Sequence, residues 1–147
     1  MSIETMEFFW RLDDERIVAA IRRAEQMTSG EIRVYVSESE VDDPVSAAQK
    51  QFEQMGMTAT RQRNGVLIFI APRSHKFAII GDTGVHARCG ESFWNDIAVE
   101  MRRHLVDDRP TDALVHAITK AGALLKEHFP RQPDDVNELP DAVERGS

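Results

Sequence analysis

The chain of 147 residues lacks the features that would place it in several large classes of protein. It has one cysteine, so no disulfide bond can form within the chain, which fits a reducing compartment. No stretch approaches the roughly 20 apolar residues that a membrane-spanning helix needs. The first fifteen residues carry acids where a secretory signal would need positive charge. These absences predict a soluble, cytoplasmic protein without a membrane span.

Positive charge is also scarce, with 18 Lys and Arg residues against 25 Asp and Glu residues and a formal net charge of -7. A nucleic-acid-binding protein needs a basic surface that displaces counterions, so we expect no nucleic-acid partner. The surplus of acids favours a divalent cation or a basic protein surface as the partner. We expect a monomer or a weak dimer.

Segments with helical periodicity alternate with short segments that have the pattern of strands. Apolar residues spaced at i, i+3, i+4 and i+7 predict helices, and apolar or alternating runs predict strands. The predicted helices are 13–27, 45–57, 91–105 and 110–129, and the predicted strands are 31–37, 65–71 and 77–81.

The two strands 65–71 and 77–81 decide the predicted fold. The link between them is too short for a parallel crossover, so they predict an antiparallel hairpin. The strand 65–71 is apolar without alternation, which indicates burial on both faces. The order α-β-α-β-β-α-α therefore predicts a three-layer α/β/α sandwich, with helices on both faces of a small mixed sheet and the hairpin at its centre. We expect one domain over residues 1–130 and an acidic, proline-containing tail over 131–147.

Three segments resemble the TPM domain family: TSGEIRVYV, RQRNGVLIFIAPRSHKFAIIGDTGV and the final pair of helices. Their most specific pieces are Arg63-Asn64-Gly65 and the GDTG turn that follows the hairpin. The resemblance covers roughly residues 13–129, and the tail resembles short, stand-alone bacterial members. The family includes thylakoid acid-phosphatase-like proteins linked to photosystem repair. It implies an α/β sandwich, carboxylates clustered near the strand ends, a bound divalent cation (calcium in some members) and weak acid-phosphatase activity in some members. The GDTG turn departs from the commoner form of the family.

Acidic residues that follow or precede predicted elements are the candidate cation ligands. Asp82 follows the strand 77–81, where a carboxylate can cap a helix or bind a cation. Glu91 and Asp96 open the next helix, either as favourable acids of its first turn or as further ligands. Asp42 and Asp43 lie in a loop after the first strand, where they are solvated or reach the same edge of the sheet. If these five carboxylates converge, they supply part of the six to eight oxygens that Ca²⁺ prefers.

Other chemistry-bearing residues have weaker signals. The pair Asn64-Gly65 predicts a turn with positive φ, and Arg63 is the alternative candidate, together with Asn64, for contact with an anion or a protein partner. Cys89 is predicted to be a buried, inert thiol, because a cysteine phosphatase needs an arginine six residues later and Asn95 stands there. The five histidines show no spacing typical of metal ligands. An aromatic N-terminal patch at residues 8–10 is expected to dock onto the body or to contact a partner.

Three functions remain open on the sequence. The first is a non-catalytic TPM-like module that binds a divalent cation and a protein partner in a regulatory role. The second is a low-activity, metal-dependent acid phosphatase, which would use metal-activated water because no covalent-nucleophile motif is present. The third is a structural domain whose acids are helix caps and solvated surface. The sequence does not decide whether the protein is an enzyme.

Overall fold

The computed structural model describes residues 7–8, 11–90, 92–131 and 143–146, without the side chains of residues 92, 93, 144 and 145. The helices are α1 (Asp14–Glu25), α2 (Pro44–Gln54), α3 (Thr83–Cys89), α4 (Ser92–Val106) and α5 (Pro110–His128). The strands are β1 (Glu31–Ser37), β2 (Gly65–Ala71), β3 (Lys76–Gly81) and β4 (Val143–Gly146). The elements α3 and β4 come in addition to those that the sequence predicted. Within these ranges, no helix is both long enough and apolar enough to cross a membrane.

The four strands form one mixed sheet in the order β3-β2-β1-β4. Strand β1 is parallel to β2 and to β4, whereas β2 and β3 are antiparallel. The hairpin is closed by a turn of 3₁₀ helix at Pro72–Ser74, and His75 adopts a left-handed conformation with φ 51°. The predicted mixed sheet with its antiparallel hairpin is therefore present, and β3 forms one of its edges.

Every residue of β2 is buried, because helices cover both faces of the sheet. On one face, α2 covers the sheet through Ala48 and Phe52, which pack with Leu67 and Phe69 of β2. On the other face, α1, α4 and α5 cover alternate residues of β1 and β2. Their shared core contains Ile17, Ile21, Ile32, Val34, Val66, Ile68, Ile97, Met101, Leu114, Ile118 and Leu125. The predicted three-layer α/β/α sandwich is confirmed.

Strand β4 comes from the segment that the sequence assigned to a separate tail. Its Val143 lies opposite Val34, and the N–H of Glu38 donates to the carbonyl of Gly146 at 2.6 Å. These last described residues therefore belong to the sheet. The two tail residues through which the sequence suggested docking, Val136 and Leu139, lie outside the described residues.

A buried ion pair joins the end of α1 to β1. Arg33, which is only 2% exposed, donates to the Glu25 carboxylate at 2.8 Å, and it also lies 3.3 Å from the Glu31 carboxylate. The same Glu25 oxygen accepts the N–H of Ile32 at 2.9 Å. Removing one partner of such a pair leaves a charge in an apolar surrounding, which costs more than the pair contributes. The helix end and the strand are thereby fixed to each other.

The crossing of α1 and α5 yields a testable prediction at Gly122, which is buried in the interior of α5. A Cβ atom at this position would lie 2.6 Å from the Cβ atom of Ala24 in α1. We therefore expect Gly122→Ala to lower the free energy of unfolding by about 1–3 kcal/mol, as overpacking does. Helix propensity alone would give the opposite sign, since alanine exceeds glycine by about 1 kcal/mol.

Urea unfolding of both variants provides the measurement, with Ala123→Gly as the control. Ala123 is exposed on the same helix, so its change should cost only the helix propensity of about 1 kcal/mol. A Gly122→Ala protein that is as stable as the wild type, or more so, would show that α1 and α5 do not approach this closely.

Candidate functional site

The direction of β3 determines which candidate residues share an end of the sheet. Because β3 is antiparallel to β2, Gly81 lies opposite Val66, and the N–H of Asp82 donates to the carbonyl of Gly65 at 2.9 Å. Asp82 is therefore at the end where β2 begins. Lys76 lies opposite Ala71, at the end where β2 finishes. The two ends of the six-residue β3 are roughly 17 Å apart at the rise per residue of a strand.

Asp42 and Asp43 lie at the opposite end from Asp82. The Lys76 ammonium donates to the carbonyl of Asp42 at 2.8 Å, and the N–H of Val41 donates to the Ser74 hydroxyl at 2.7 Å. The acidic loop after β1 is thus attached to the turn that closes the hairpin. The expectation that this loop reaches the same edge as Asp82 is wrong, because the chain reverses its direction between β2 and β3.

Asp82 is held by an arginine at the end where β2 begins. Its carboxylate is 4% exposed and accepts two hydrogen bonds from Arg63, at 2.7 and 2.9 Å, and one from the N–H of Thr83 at 2.7 Å. The hydrogen bond to Asp82 and the Coulomb attraction of its charge raise the pKa of the Arg63 guanidinium above its ordinary value. Asp82 therefore caps α3 and neutralises Arg63, which is a structural use of its charge.

Arg63 and Asn64 connect several segments at this end. The positive φ of the turn falls on Arg63, at 51°, and not on the Asn64-Gly65 pair to which the sequence assigned it. The carbonyl of Arg63 accepts the N–H of Gly84 at 2.9 Å. Asn64 is 2% exposed, and its side chain donates to the Ser29 hydroxyl at 3.2 Å. Whether either residue also contacts an anion or a partner remains a prediction.

The other candidate ligands are less connected. Asp43 caps α2 by accepting the N–H groups of Val45 and Ser46, at 3.1 and 3.2 Å. Asp96 is exposed on α4, and Glu91 lies outside the described residues. In the part of the chain that the structure describes, no group of three or more His, Cys, Asp or Glu side chains is arranged to hold a metal ion. A calcium site at these residues stays a prediction.

A cleft of about 640 Å³ opens at the end where β2 finishes. Most of its wall is apolar and consists of Phe8, Pro44, Ile70, Ala71, Pro72, Phe77, Leu105, Val106 and Pro110. The N-terminal segment, the β2–β3 turn, α4 and the start of α5 thus all contribute to one concave surface. In α/β sheets, the carboxyl ends of parallel strands are the usual place for a ligand. This position and composition make the cleft the candidate functional site.

Polar and charged side chains also line the cleft: Glu7, Arg11, His75, Lys76, Arg102 and Asp108. Arg11 forms an ion pair with Asp108, a residue in a left-handed conformation with φ 61°. The guanidinium of Arg102 lies 5.7 Å from the centre of the Phe77 ring. The sequence did not predict this site, because its residues come from segments that no spacing rule connects. Among the cleft residues, the sequence analysis had singled out Phe8, as part of the aromatic N-terminal patch. In the structure, Phe8 packs against the core.

Two histidines that the sequence left unpaired meet between α4 and α5. The ring centres of His104 and His116 are 5.6 Å apart, and the buried Nε2 atom of His116 has no hydrogen-bond partner among the residues that the structure describes. Burial lowers the pKa of His116 below its ordinary value, and His104 and Lys120 act in the same direction, whereas Glu100 opposes them. The position of His116 in the fold thus favours the uncharged form of its imidazole.

Cys89 has the environment of an unreactive thiol. It is half-buried at the end of α3, and burial raises the pKa of its thiol, with a further contribution from Glu127 and an opposing one from Arg88. A raised thiol pKa reduces the fraction of thiolate, which is the nucleophilic form.

Comparison with known proteins agrees with the fold and its sequence signals. The sequence profile of the TPM domain matches residues 5–124, so the chain belongs to the TPM domain family. No curated protein matched the chain. The protein BA42 from the psychrophilic bacterium Bizionia argentinensis, solved by NMR, has a similar structure with a TM-score of 0.84. The two are 35% identical, over 90% of this chain and 92% of BA42.

A second solved structure is similar in fold alone. The N-terminal domain of a protein from P. gingivalis, also solved by NMR, gives a TM-score of 0.61 at 16% identity. The match covers 78% of this chain and 76% of that domain. The overall fold is thus found in a protein of very different sequence.

The lowered pKa of His116 predicts how stability depends on pH. Because the native pKa is below the ordinary value of 6.5, the unfolded chain takes up a proton at a higher pH than the native protein does. The free energy of unfolding should therefore decrease as the pH falls through 6.5 and towards the native pKa. We expect His116→Gln to be less sensitive than the wild type over this range.

The measurement is urea unfolding at several pH values between neutral and mildly acidic. His86→Gln is the control, because His86 is exposed on α3 and should leave the pH dependence unchanged. Equal pH dependence in the wild type and in His116→Gln would mean that burial does not hold this imidazole in its neutral form.

Proposed function

We propose that this TPM domain is a non-catalytic regulatory module that binds its ligand in the cleft at the finishing end of β2. The observation that carries the proposal is the convergence of several chain segments on one largely apolar cavity with charged side chains at its margin. Its volume of about 640 Å³ is within the range of roughly 300–1,000 Å³ that is common for small-molecule sites.

The construction of the cleft supports a regulatory role. Its wall combines the rigid end of β2 with the N-terminal segment and with the loop between α4 and α5. A ligand that contacts all of these would stabilise one arrangement of them by its binding free energy. The surface that such segments present to a protein partner would then depend on the ligand.

Asp82 lies at the end of the sheet opposite the cleft, and its contacts there argue against a catalytic role. Both carboxylate oxygens accept hydrogen bonds from Arg63, and one also caps α3. To bind a catalytic cation, Asp82 would have to give up this ion pair and leave Arg63 without its partner. The metal-dependent phosphatase therefore has no support from the geometry of this residue.

A small-compound screen by NMR tests the proposed site. In ¹H–¹⁵N spectra of the whole chain, we expect bound compounds to shift the signals of residues 70–77 and 102–110. Phe77→Ala should weaken this binding at least about tenfold, since losing an aromatic wall costs roughly 1.5–3 kcal/mol.

Val99→Ala is the matched control, because Val99 is exposed on α4 and does not line the cleft. Its spectra and affinities should equal those of the wild type. Compounds that bind only around Arg63 and Asp82, or that bind Phe77→Ala as well as the wild type, would contradict the assignment of the site.

Calcium remains part of the proposal as a second ligand, supported by the family resemblance and by the acidic composition. We expect millimolar calcium to raise the melting temperature relative to EDTA by a few degrees, since binding at ten times the Kd adds about 1.4 kcal/mol. The exposed Asp42 and Asp96 lie on different elements. The variant, Asp42→Asn or Asp96→Asn, that reduces the rise in melting temperature with calcium should identify the region that binds it.

An activity assay with a further variant, Asp82→Asn, separates binding from catalysis. Hydrolysis of a chromogenic phosphate ester should be equally slow for the wild type and for Asp82→Asn, which would agree with a non-catalytic domain. A rate that depends on both calcium and Asp82 would favour the phosphatase instead. Identical melting in calcium and in EDTA would remove the cation from the proposal and leave the cleft unaffected.

A further inference from the structure

Two imidazole rings lie next to each other between α4 and α5, outside the cleft. His104 is in the last turn of α4, and His116 is in the first half of α5. Their ring centres are 5.6 Å apart, and the ring planes are tilted by 53°, so the rings are not stacked face to face. Both residues are half-buried, so the pair lies close to solvent. Neither histidine lines the cleft.

The ring of His116 has a nitrogen that the fold leaves unpaired. Its Nε2 atom is buried and has no hydrogen-bond partner in the described part of the chain. A buried polar atom in this state destabilises the native protein and calls for an explanation. Burial lowers the pKa of His116 and favours the uncharged imidazole, which is the form that binds a metal ion. A metal ion coordinated by this ring would supply the missing partner.

The separation of the two rings is near that of imidazoles that share one metal ion. Zinc lies about 2.0–2.1 Å from a histidine nitrogen and prefers tetrahedral angles, which places the centres of two such rings roughly 5 Å apart. Each nitrogen lone pair lies in the plane of its ring, so two rings in a parallel stack do not share an ion. The observed tilt removes this obstacle, and a small rotation of the His104 side chain closes the remaining difference.

The charges beside the pair include a carboxylate. Glu100 precedes His104 by one helical turn on α4, and its charge acts on the imidazole of His116. The charge of Lys120 on α5 acts on the same imidazole with the opposite sign. A carboxylate beside a metal-bound imidazole commonly accepts the second N–H of the ring and orients it. Imidazole nitrogen suits Zn²⁺, Cu²⁺ and Ni²⁺, whereas Ca²⁺ takes oxygen ligands.

We propose that His104 and His116 bind one Zn²⁺ ion, or a similar transition-metal ion, and so join α4 to α5. The chain contributes two imidazole nitrogens, and water completes the coordination, because the described residues contain no group of three or more such side chains arranged as ligands. The site therefore differs from a structural zinc site, which four side chains close. It is separate from the cleft and from the carboxylates considered for calcium, so the inference goes beyond the proposed function.

Zinc added to the whole chain tests this site. Long-range ¹H–¹⁵N spectra of the imidazole rings identify the nitrogens that bind the ion, and isothermal titration gives the stoichiometry and the Kd. We expect one Zn²⁺ per chain, with nitrogen shifts at His104 and His116 and at none of the other histidines. The melting temperature should rise by a few degrees relative to EDTA. Calcium should shift neither ring, because it prefers oxygen ligands.

His104→Gln and His116→Gln should each weaken zinc binding at least about tenfold, because the second imidazole binds intramolecularly at a high effective concentration. His86→Gln is the matched control. His86 is exposed on α3, one helical turn before Cys89, where an adventitious zinc site would form. This variant should bind zinc as the wild type does. The melting temperature in EDTA verifies that each variant is folded, and His104→Gln keeps the test decisive if His116→Gln is unstable.

Two results would overturn the inference. If zinc shifts the nitrogens of other histidines, or if His86→Gln weakens binding as much as His104→Gln does, the ion binds adventitiously elsewhere. If the wild type binds no zinc and melts identically in zinc and in EDTA, the two rings form a packing contact only. Neither result bears on the cleft, which the compound screen tests separately.

Discussion

The short turn between β2 and β3 is the constraint on which the arrangement of this domain depends. A turn of 3₁₀ helix at Pro72–Ser74 cannot carry the chain back across the sheet, so β3 must run antiparallel to β2. The residues that follow β3 and those that follow β1 then lie at opposite ends. One end is closed by the ion pair of Arg63 with Asp82, and the other opens into the cleft. The two ends of the sheet therefore differ, one held by an ion pair and the other open as a cleft.

Local patterns in the sequence were sufficient for the layers of the fold, and they offered a helix cap as one of the two roles considered for Asp82. The two-sided burial of β2 follows from its unbroken apolar run, and Asp82 precedes α3 where a cap is expected. What local patterns do not contain is the direction in which two loops approach each other. The predicted convergence of Asp42 and Asp43 with Asp82 failed for this reason, although the hairpin that separates them was itself predicted.

Interactions between elements distant in sequence also escaped prediction. Arg33 alternates with apolar residues in a strand, a pattern that indicates a side chain towards solvent, yet it is buried because Glu25 of α1 and Glu31 neutralise it. His104 and His116 meet because α4 and α5 pack side by side. Strand β4 has four residues and includes Glu144 and Arg145, so it lacks the apolar run by which strands are recognised.

The position of β4 has a consequence for the way in which the chain acquires its structure. Val34 of β1 pairs with Val143, which is synthesised roughly a hundred residues later. Until then, one edge of β1 has N–H and C=O groups that lack their final partner. Exposed strand edges of this kind are where chains associate incorrectly. Contacts between residues so far apart in sequence also form slowly. While the polypeptide is being synthesised, β1 therefore presents an unpaired edge until β4 follows it.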